Sequence, residues 1–250
     1  MTTAAFRHLK FESLDSTNAQ GRRLAQKGEG GPLWITAVEQ TAGRGRRGRD
    51  WVSKPGNLFA TFLVTVPVEP ATAAQLSFAT ALALFDACAS FLSSGVQLSL
   101  KWPNDVLLEQ EKVAGILLET VPCLQPGKIA VAIGCGVNLQ HAPGQTSYAA
   151  TWLNAHRSDQ VSPDRFLGEL GPCLDKRLAQ WKNGQGFDLI AKAWQERASH
   201  MGKLVSLTGA SQTITGKFTG LADDGALVLE LTDGRQKHFH AGDVSLALSK

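Results

Sequence analysis

"VQLSLKWPNDVLLEQEKVAGILLETV", residues 96–121, carries the patterns that decide the architecture. Its first part alternates: Val96, Leu98, Leu100 and Trp102 fall on one side, Gln97, Ser99 and Lys101 on the other. That period of two marks a half-buried strand, with Trp102 in its core face. Pro103 has no N–H for a ladder, so the strand ends there. Residues 105–121 then read as a hairpin turning near Gln110–Glu111. Gly115, inside the second strand, marks a place where a side chain would meet something lying close above the sheet.

Working outward, "PLWITAVEQ" (32–40), "NLFATFLVTV" (57–66) and "KIAVAIGCGVNL" (128–139) are apolar and β-branched, and read as further strands. Residues 15–27 read as a helix capped by Asp15 or Ser16 and closed by Gly28. The run 73–92 is the most apolar in the chain, but Gln75, Ser77, Thr80 and Asp86 interrupt it, so it reads as a buried helix rather than a membrane span. From Ser162–Pro163 the period changes. Leu167, Leu170, Leu174, Leu178 and Trp181 recur at steps of three and four, an amphipathic helix with an expected kink or break at Pro172. Another helix is expected over 187–199. After Met201, short alternating strands separated by Asp-Asp-Gly and Thr-Asp-Gly turns suggest a small β-barrel. The fold class is α+β: a mixed-sheet body over 1–199, then an all-β domain over 200–250.

With 250 residues, 43% hydrophobic and 19% charged, the chain is long enough to bury a sizeable core. Cys88, Cys123, Cys135 and Cys173 show no CxxC pairing, so neither a zinc site nor a disulfide framework is indicated. The N-terminus "MTTAAFRHLKFES" places charge where an export signal needs its apolar centre, and the expected address is cytoplasmic. The net charge of +3 falls to −1 once Arg44, Arg46, Arg47 and Arg49 are set aside, so the basicity is local.

Those four arginines sit among Gly43, Gly45 and Gly48 in "EQTAGRGRRGRDW" (39–51), between two of the expected strands. Three readings compete: a solvated loop, a nucleic-acid contact, or a segment that orders around a small phosphate-bearing ligand. Glycines let backbone approach an anion, and a guanidinium can bind two of its oxygens at once. The near-neutral remainder favours the small ligand over the duplex.

Four stretches in order change the odds: "DSTN" (15–18), "EQTAGRGRRGRDWVSKPGNL" (39–58), "LKWPNDVLLEQEKVAGILLE" (100–119) and "IGCGVNL" (133–139). Together they resemble the biotin protein ligase family, strongly over residues 8–140, and the all-β end resembles that family's small SH3-like C-terminal domain. The resemblance implies ATP-dependent activation of biotin as an acyl-adenylate and its transfer to a lysine of a carboxylase's biotin carboxyl carrier domain. It implies that Lys112 and Arg44 are catalytic. Biotin would contact Ser16, Thr17, Asn18, Gln40, Gly43, Arg44, Gly45, Arg46, Lys112 and Gly115. ATP would contact Arg44, Arg46, Arg47, Arg49, Asn104, Lys112 and Asn138, with water an equal alternative for Arg47 and Arg49. Asp105 is the candidate for Mg²⁺. Some family members carry a DNA-binding domain ahead of the catalytic body. The fifteen residues before Ser16 are too few for one, so no DNA partner is expected; the interruptions in the run 73–92 argue against a membrane partner, and a homodimer stays open. The rivals are a lipoate or octanoate ligase or transferase of the same fold, and a nucleic-acid-binding module using the arginines.

Overall fold

Two sheets carry the chain in the computed structural model, which describes residues 7–144, 148–209 and 212–247. Residues 1–6 of the N-terminal stretch lie outside them. Strand β1 (Arg7–Leu14), helix α1 (Thr17–Gln26) and β2 (Leu33–Gln40) form a parallel crossover unit. Ser16 caps α1 by accepting from the Ala19 amide at 3.4 Å, and Gly28 follows its end at φ +92°. β3 (Leu58–Val66) returns antiparallel to β2, so the arginine segment is the connection between two paired strands.

After the single turn α2 (Pro70–Ala73) and α3 (Leu76–Ala89) come β4 (Leu98–Lys101), β5 (Asp105–Leu108), β6 (Glu111–Pro122) and β7 (Ile129–Val137). The seven strands lie in the order β1-β2-β3-β7-β6-β5-β4. The segment Pro70–Ala89 is long and apolar enough to cross a membrane, but most of it is buried inside the protein. A helix apolar on all sides is a core element.

Helices α4 (Pro163–Trp181) and α5 (Phe187–Gln195) join α3 over one face of the sheet. α1 covers part of the other, packing its Ala25 against Leu33, Ile35, Leu63, Val121 and Ala130. Of the two outcomes expected at Pro172, the break does not occur: α4 runs through it as one helix. The carbonyl four residues back belongs to exposed Gly168, so water can take the bond that proline cannot supply. α5 ends at Gln195, short of the expected 199. An ion pair fastens α3 to α4: Arg177 donates to Asp86 Oδ2 from Nη2 at 2.6 Å and from Nε at 3.0 Å. Asp86→Ala leaves this buried guanidinium without its counter-ion and should cost about 3 kcal/mol, read as a lowered urea midpoint.

The hairpin turns at Glu109–Gln110, one residue earlier than expected, with φ of 50° and 67°. Two consecutive left-handed residues match the strand twist in a two-residue loop, and no Asn-Gly marks it in the sequence. Leu107 pairs with Lys112 and Val106 with Ala114, so Val113 is bulged out of register. That bulge decides the chemistry. Lys112 and Gly115, three apart, would face opposite sides of a regular strand, and the extra residue brings them to one face.

The C-terminal strands β8 (Leu204–Thr208), β9 (Thr213–Leu221), β10 (Leu227–Glu230), β11 (Gln236–Phe239) and β12 (Asp243–Leu246) form a five-stranded antiparallel sheet ordered β11-β10-β9-β8-β12. Gly225 and Gly234 make its turns at φ +86° and +80°. Trp102, buried as its alternation implied, donates from Nε1 to the Gly225 carbonyl at 3.3 Å and so links this sheet to the body.

Candidate active site

On the face of the large sheet not covered by α3, strands β6 and β7 bring Gly115 opposite Gly136, and Leu117 opposite Gly134. The missing side chains leave a depression that widens into a cavity of about 890 Å³, reaching the C-terminal sheet. Each glycine has its own occupant. A Cβ on Gly136 would stand 2.5 Å from the Trp51 indole. One on Gly115 would stand 3.0 Å from Lys112 Nζ, and one on Gly134 would overlap the Asn18 carboxamide. Gly115, expected to make way for a ligand, lines the cavity with Lys112 and Trp51 as its nearest side chains.

One end of the cavity is polar and uncharged. The start of α1 presents Ser16, Thr17 and Asn18, all buried. The Thr17 amide and hydroxyl donate to Gln40 Oε1 at 2.8 and 3.2 Å. The Thr61 hydroxyl lies 2.8 Å from Thr17 Oγ1 and 2.7 Å from Asn18 Oδ1. Three of the four residues expected around a ureido group, Thr17, Asn18 and Gln40, therefore form one bonded set that Thr61 joins unpredicted, while Ser16 caps the helix beside them.

The next part is cationic. Lys112 Nζ lies 2.7 Å from Asp105 Oδ1, 5.2 Å from the Trp51 ring centroid and 5.1 Å from that of Tyr148. The bulge that aims it is tied down: the Lys112 amide donates to Ala149 O at 2.9 Å, and Asn138 donates to Thr151 O at 3.0 Å and to Lys112 O at 3.5 Å. Asn138 was expected to touch a nucleotide. It is buried and absent from the cavity lining, its amide engaged by the backbone around Lys112. Asn104 donates to Ile116 O at 2.6 Å and accepts from Arg46 Nη1 at 3.1 Å. Burial pushes the Arg46 guanidinium below its ordinary value, against the opposing charges of Asp243 and Asp105. Asp105, the candidate for Mg²⁺, is the counter-ion of Lys112, and no group of three or more His, Cys, Asp or Glu among the described residues could hold a metal.

The arginine segment is folded back on itself: Gly45 N donates to Arg49 O at 2.7 Å and Trp51 N to Gly43 O at 3.0 Å. Gly43 lies outside the lining, where a side chain would run into Ser53 and the Trp51 carbonyl. Arg44 and Gly45 line the cavity, and Arg44 Nη2 is 3.8 Å from Glu119. Arg47 and Arg49, given to pyrophosphate or water, clasp the two oxygens of Asp243 on β12 at 3.1 and 3.0 Å. Only Arg49 of these two lines the cavity.

Trp51, Thr61, Glu119, Tyr148, His200 and Asp243 carried no assignment from the sequence. Trp51 closed the arginine stretch and was the one with a signal, since a tryptophan beside a phosphate-type loop is costly to leave in water. His200 lines the cavity beside the C-terminal sheet, and burial, with Lys101 and Lys203 nearby, pushes its imidazole down to about 4. The unfolded chain binds a proton near 6.5 that the fold refuses until about 4. Stability is therefore complete above that window and falls with pH inside it, by at most about 1.4 kcal/mol per pH unit. Urea midpoints at about pH 7 and about pH 5 check this, and His200→Gln should flatten the difference.

A family model described as the biotin/lipoate A/B protein ligase family matches residues 10–138, and one for the biotin protein ligase C terminal domain matches residues 200–247. A biotin–(acetyl-CoA-carboxylase) ligase of Paracoccus denitrificans is 43% identical over 89% of this chain and 93% of its own length. The protein of that description from Mycobacterium tuberculosis is 33% identical over 92% and 85%. The biotin protein ligase from Aquifex aeolicus in complex with biotin and ATP superposes with a TM-score of 0.78 at 28% identity, covering 97% of this chain and 99% of that one.

Proposed function

The chain belongs to the biotin/lipoate A/B protein ligase family, and from that premise we propose how its cavity joins biotin to a protein. It is an ATP-dependent biotin ligase. Biotin's carboxylate oxygen attacks the α-phosphorus of ATP and expels pyrophosphate. An acceptor lysine then attacks the acyl carbon, AMP departs, and the amine loses its proton.

The first step brings two anions together. At 4 Å two unit charges interact with about 4 kcal/mol at an effective dielectric near 20, so the site must supply positive charge at the meeting point. The observation that carries the reading is the convergence of Lys112, Arg44 and Arg46 beside the uncharged set of Thr17, Asn18 and Gln40 in one cavity. The neutral set suits a ureido ring, with two N–H donors and one carbonyl. Arg44 and Lys112 are assigned to the carboxylate and α-phosphate, and Arg46 with Asn104 to the phosphates. Arg49 reaches the same end of the cavity, while Arg47 serves the body by holding Asp243. A nucleotide contact from Asn138 would be indirect, through the placement of Lys112.

Mg²⁺ enters as MgATP, since this ion keeps phosphate and water ligands in preference to an all-protein cage. Residues 1–199 serve as the catalytic body and 200–250 as a domain that backs the arginine segment. A cytoplasmic carrier domain of a carboxylase is the partner. A lipoate or octanoate substrate would leave the polar end without partners, and the arginines are engaged with Asp243, Asn104 and Glu119 rather than spread for a duplex.

Incubation with biotin, MgATP and a carrier domain should raise the carrier's intact mass by one biotinyl group. An unchanged mass, or an increment from octanoate instead, would overturn the reading.

A further inference from the structure

Glu119 is not part of the cavity wall, yet it touches three side chains, two from α1 and one from the arginine segment. Its Oε2 accepts from Asn18 Nδ2 at 2.9 Å. Its Oε1 lies 3.5 Å from Arg22 Nη1 on α1 and 3.8 Å from Arg44 Nη2. The carboxylate is about one-quarter exposed, against two-fifths for each guanidinium.

These contacts complete a circuit. Gln40 Nε2 donates to Ser53 Oγ at 2.9 Å, and Gln40 Oε1 accepts from Thr17. Thr17 meets Thr61, Thr61 meets Asn18, and Asn18 meets Glu119. Glu119 then returns to Arg44. The path leaves the far side of the arginine segment at Ser53, crosses the polar end of the cavity and re-enters the segment at Arg44. The Asn18 amide is oriented by it: Nδ2 is directed at Leu117 O and Glu119, leaving Oδ1 for the Thr61 hydroxyl.

We propose that Glu119 is a positioning residue, holding the Arg44 guanidinium over the cavity and the Asn18 amide in register, so that its charge sets how long the activated intermediate is retained. A guanidinium has five N–H groups, so Arg44 can keep Glu119 on one edge and offer the other to ligand oxygens. Arg22 shares the same oxygen and competes for it. This inference rests on the assignment of Arg44 and Asn18 to the ligand.

The test is the rate at which adenylate escapes into solution without acceptor, alongside KM for biotin and a thermal midpoint for each variant. Glu119→Gln keeps an oxygen for Asn18 and removes the charge. Escape should rise about threefold to fivefold, the range of a partly exposed ion pair, with KM for biotin little changed. Glu119→Ala loses both contacts, so KM for biotin should rise as well. Arg22→Met leaves Glu119 wholly to Arg44 and should slow escape. A merely structural glutamate would not move escape in opposite directions with these two changes. Parental escape from Glu119→Gln overturns the proposal, as does Arg22→Met acting in the same direction as Glu119→Gln. Arg44→Ala, run in parallel, separates the two levels. If it speeds escape while Glu119→Gln does not, the Glu119 inference falls alone; if it too matches the parent, the reading of Arg44 falls with it.

Discussion

Lys112→Ala lowers the rate of adenylate formation by about 10²–10³-fold, the cost of removing one fixed charge donor from the point where charge develops. The loss is compounded by the partner left behind. Asp105 sits 2.7 Å from Lys112 Nζ with its side chain 18% exposed, so the variant places an uncompensated carboxylate beside two anionic substrates. Lys112→Ala combined with Asp105→Asn should therefore recover part of the lost rate, although it restores no cation. Single-turnover pyrophosphate release measures both variants, and an unfolding midpoint confirms that each is folded. A parental rate from Lys112→Ala would remove the lysine from the chemistry. A double variant slower than the single one would show that Asp105 contributes more than a counter-ion.

Gly136→Val is expected to weaken biotin binding and slow adenylation together, by about 10²-fold, as an ångström-scale displacement of bound substrate does. The new Cβ would stand 2.5 Å from the Trp51 indole, and valine adds two methyl groups beyond it. Trp51 cannot keep its place on the floor. With it go the aromatic face beneath Lys112 Nζ and the closing edge of the arginine segment. Calorimetric titration with biotin reads the affinity. Gly136→Ala should fall between parent and valine, because one methyl group still overlaps the ring. Parental affinity from the valine variant would mean that the glycine row is not where the ligand lies.

Much of this was legible from local pattern. The alternation through Trp102, the proline after it, the Ser16 cap and the Asp-Asp-Gly and Thr-Asp-Gly turns each depend on neighbours within a few residues, and each formed near its expected place. The arginine segment announced an anion because its charge density is a property of the chain itself. Ser16, Thr17, Asn18 and Gln40, chosen as one polar set, do line one cavity, since the two segments that hold them meet once β1 and β2 pair in parallel.

What the sequence did not reveal depended on partners distant in the chain. Asp105 was a candidate for Mg²⁺ while its neighbour across the hairpin was unknown; a bulge at Val113 brought Lys112 to it. Asn138 looked like a nucleotide contact until residues 149–151 crossed over the bulge and took its amide. Arg47 and Arg49 read equally as pyrophosphate contacts or as side chains in water, and β12, almost two hundred positions later, delivered Asp243 between them. The chain alone determined which segments are strands or helices and that a concentrated positive charge sits between two of them, because hydrophobic period, capping and formal charge are local quantities. Only the tertiary structure decided which charges neutralise one another and which remain for a ligand. An ion pair is set by distance in space, and that distance is fixed by strand register, one bulged residue and the docking of a second sheet.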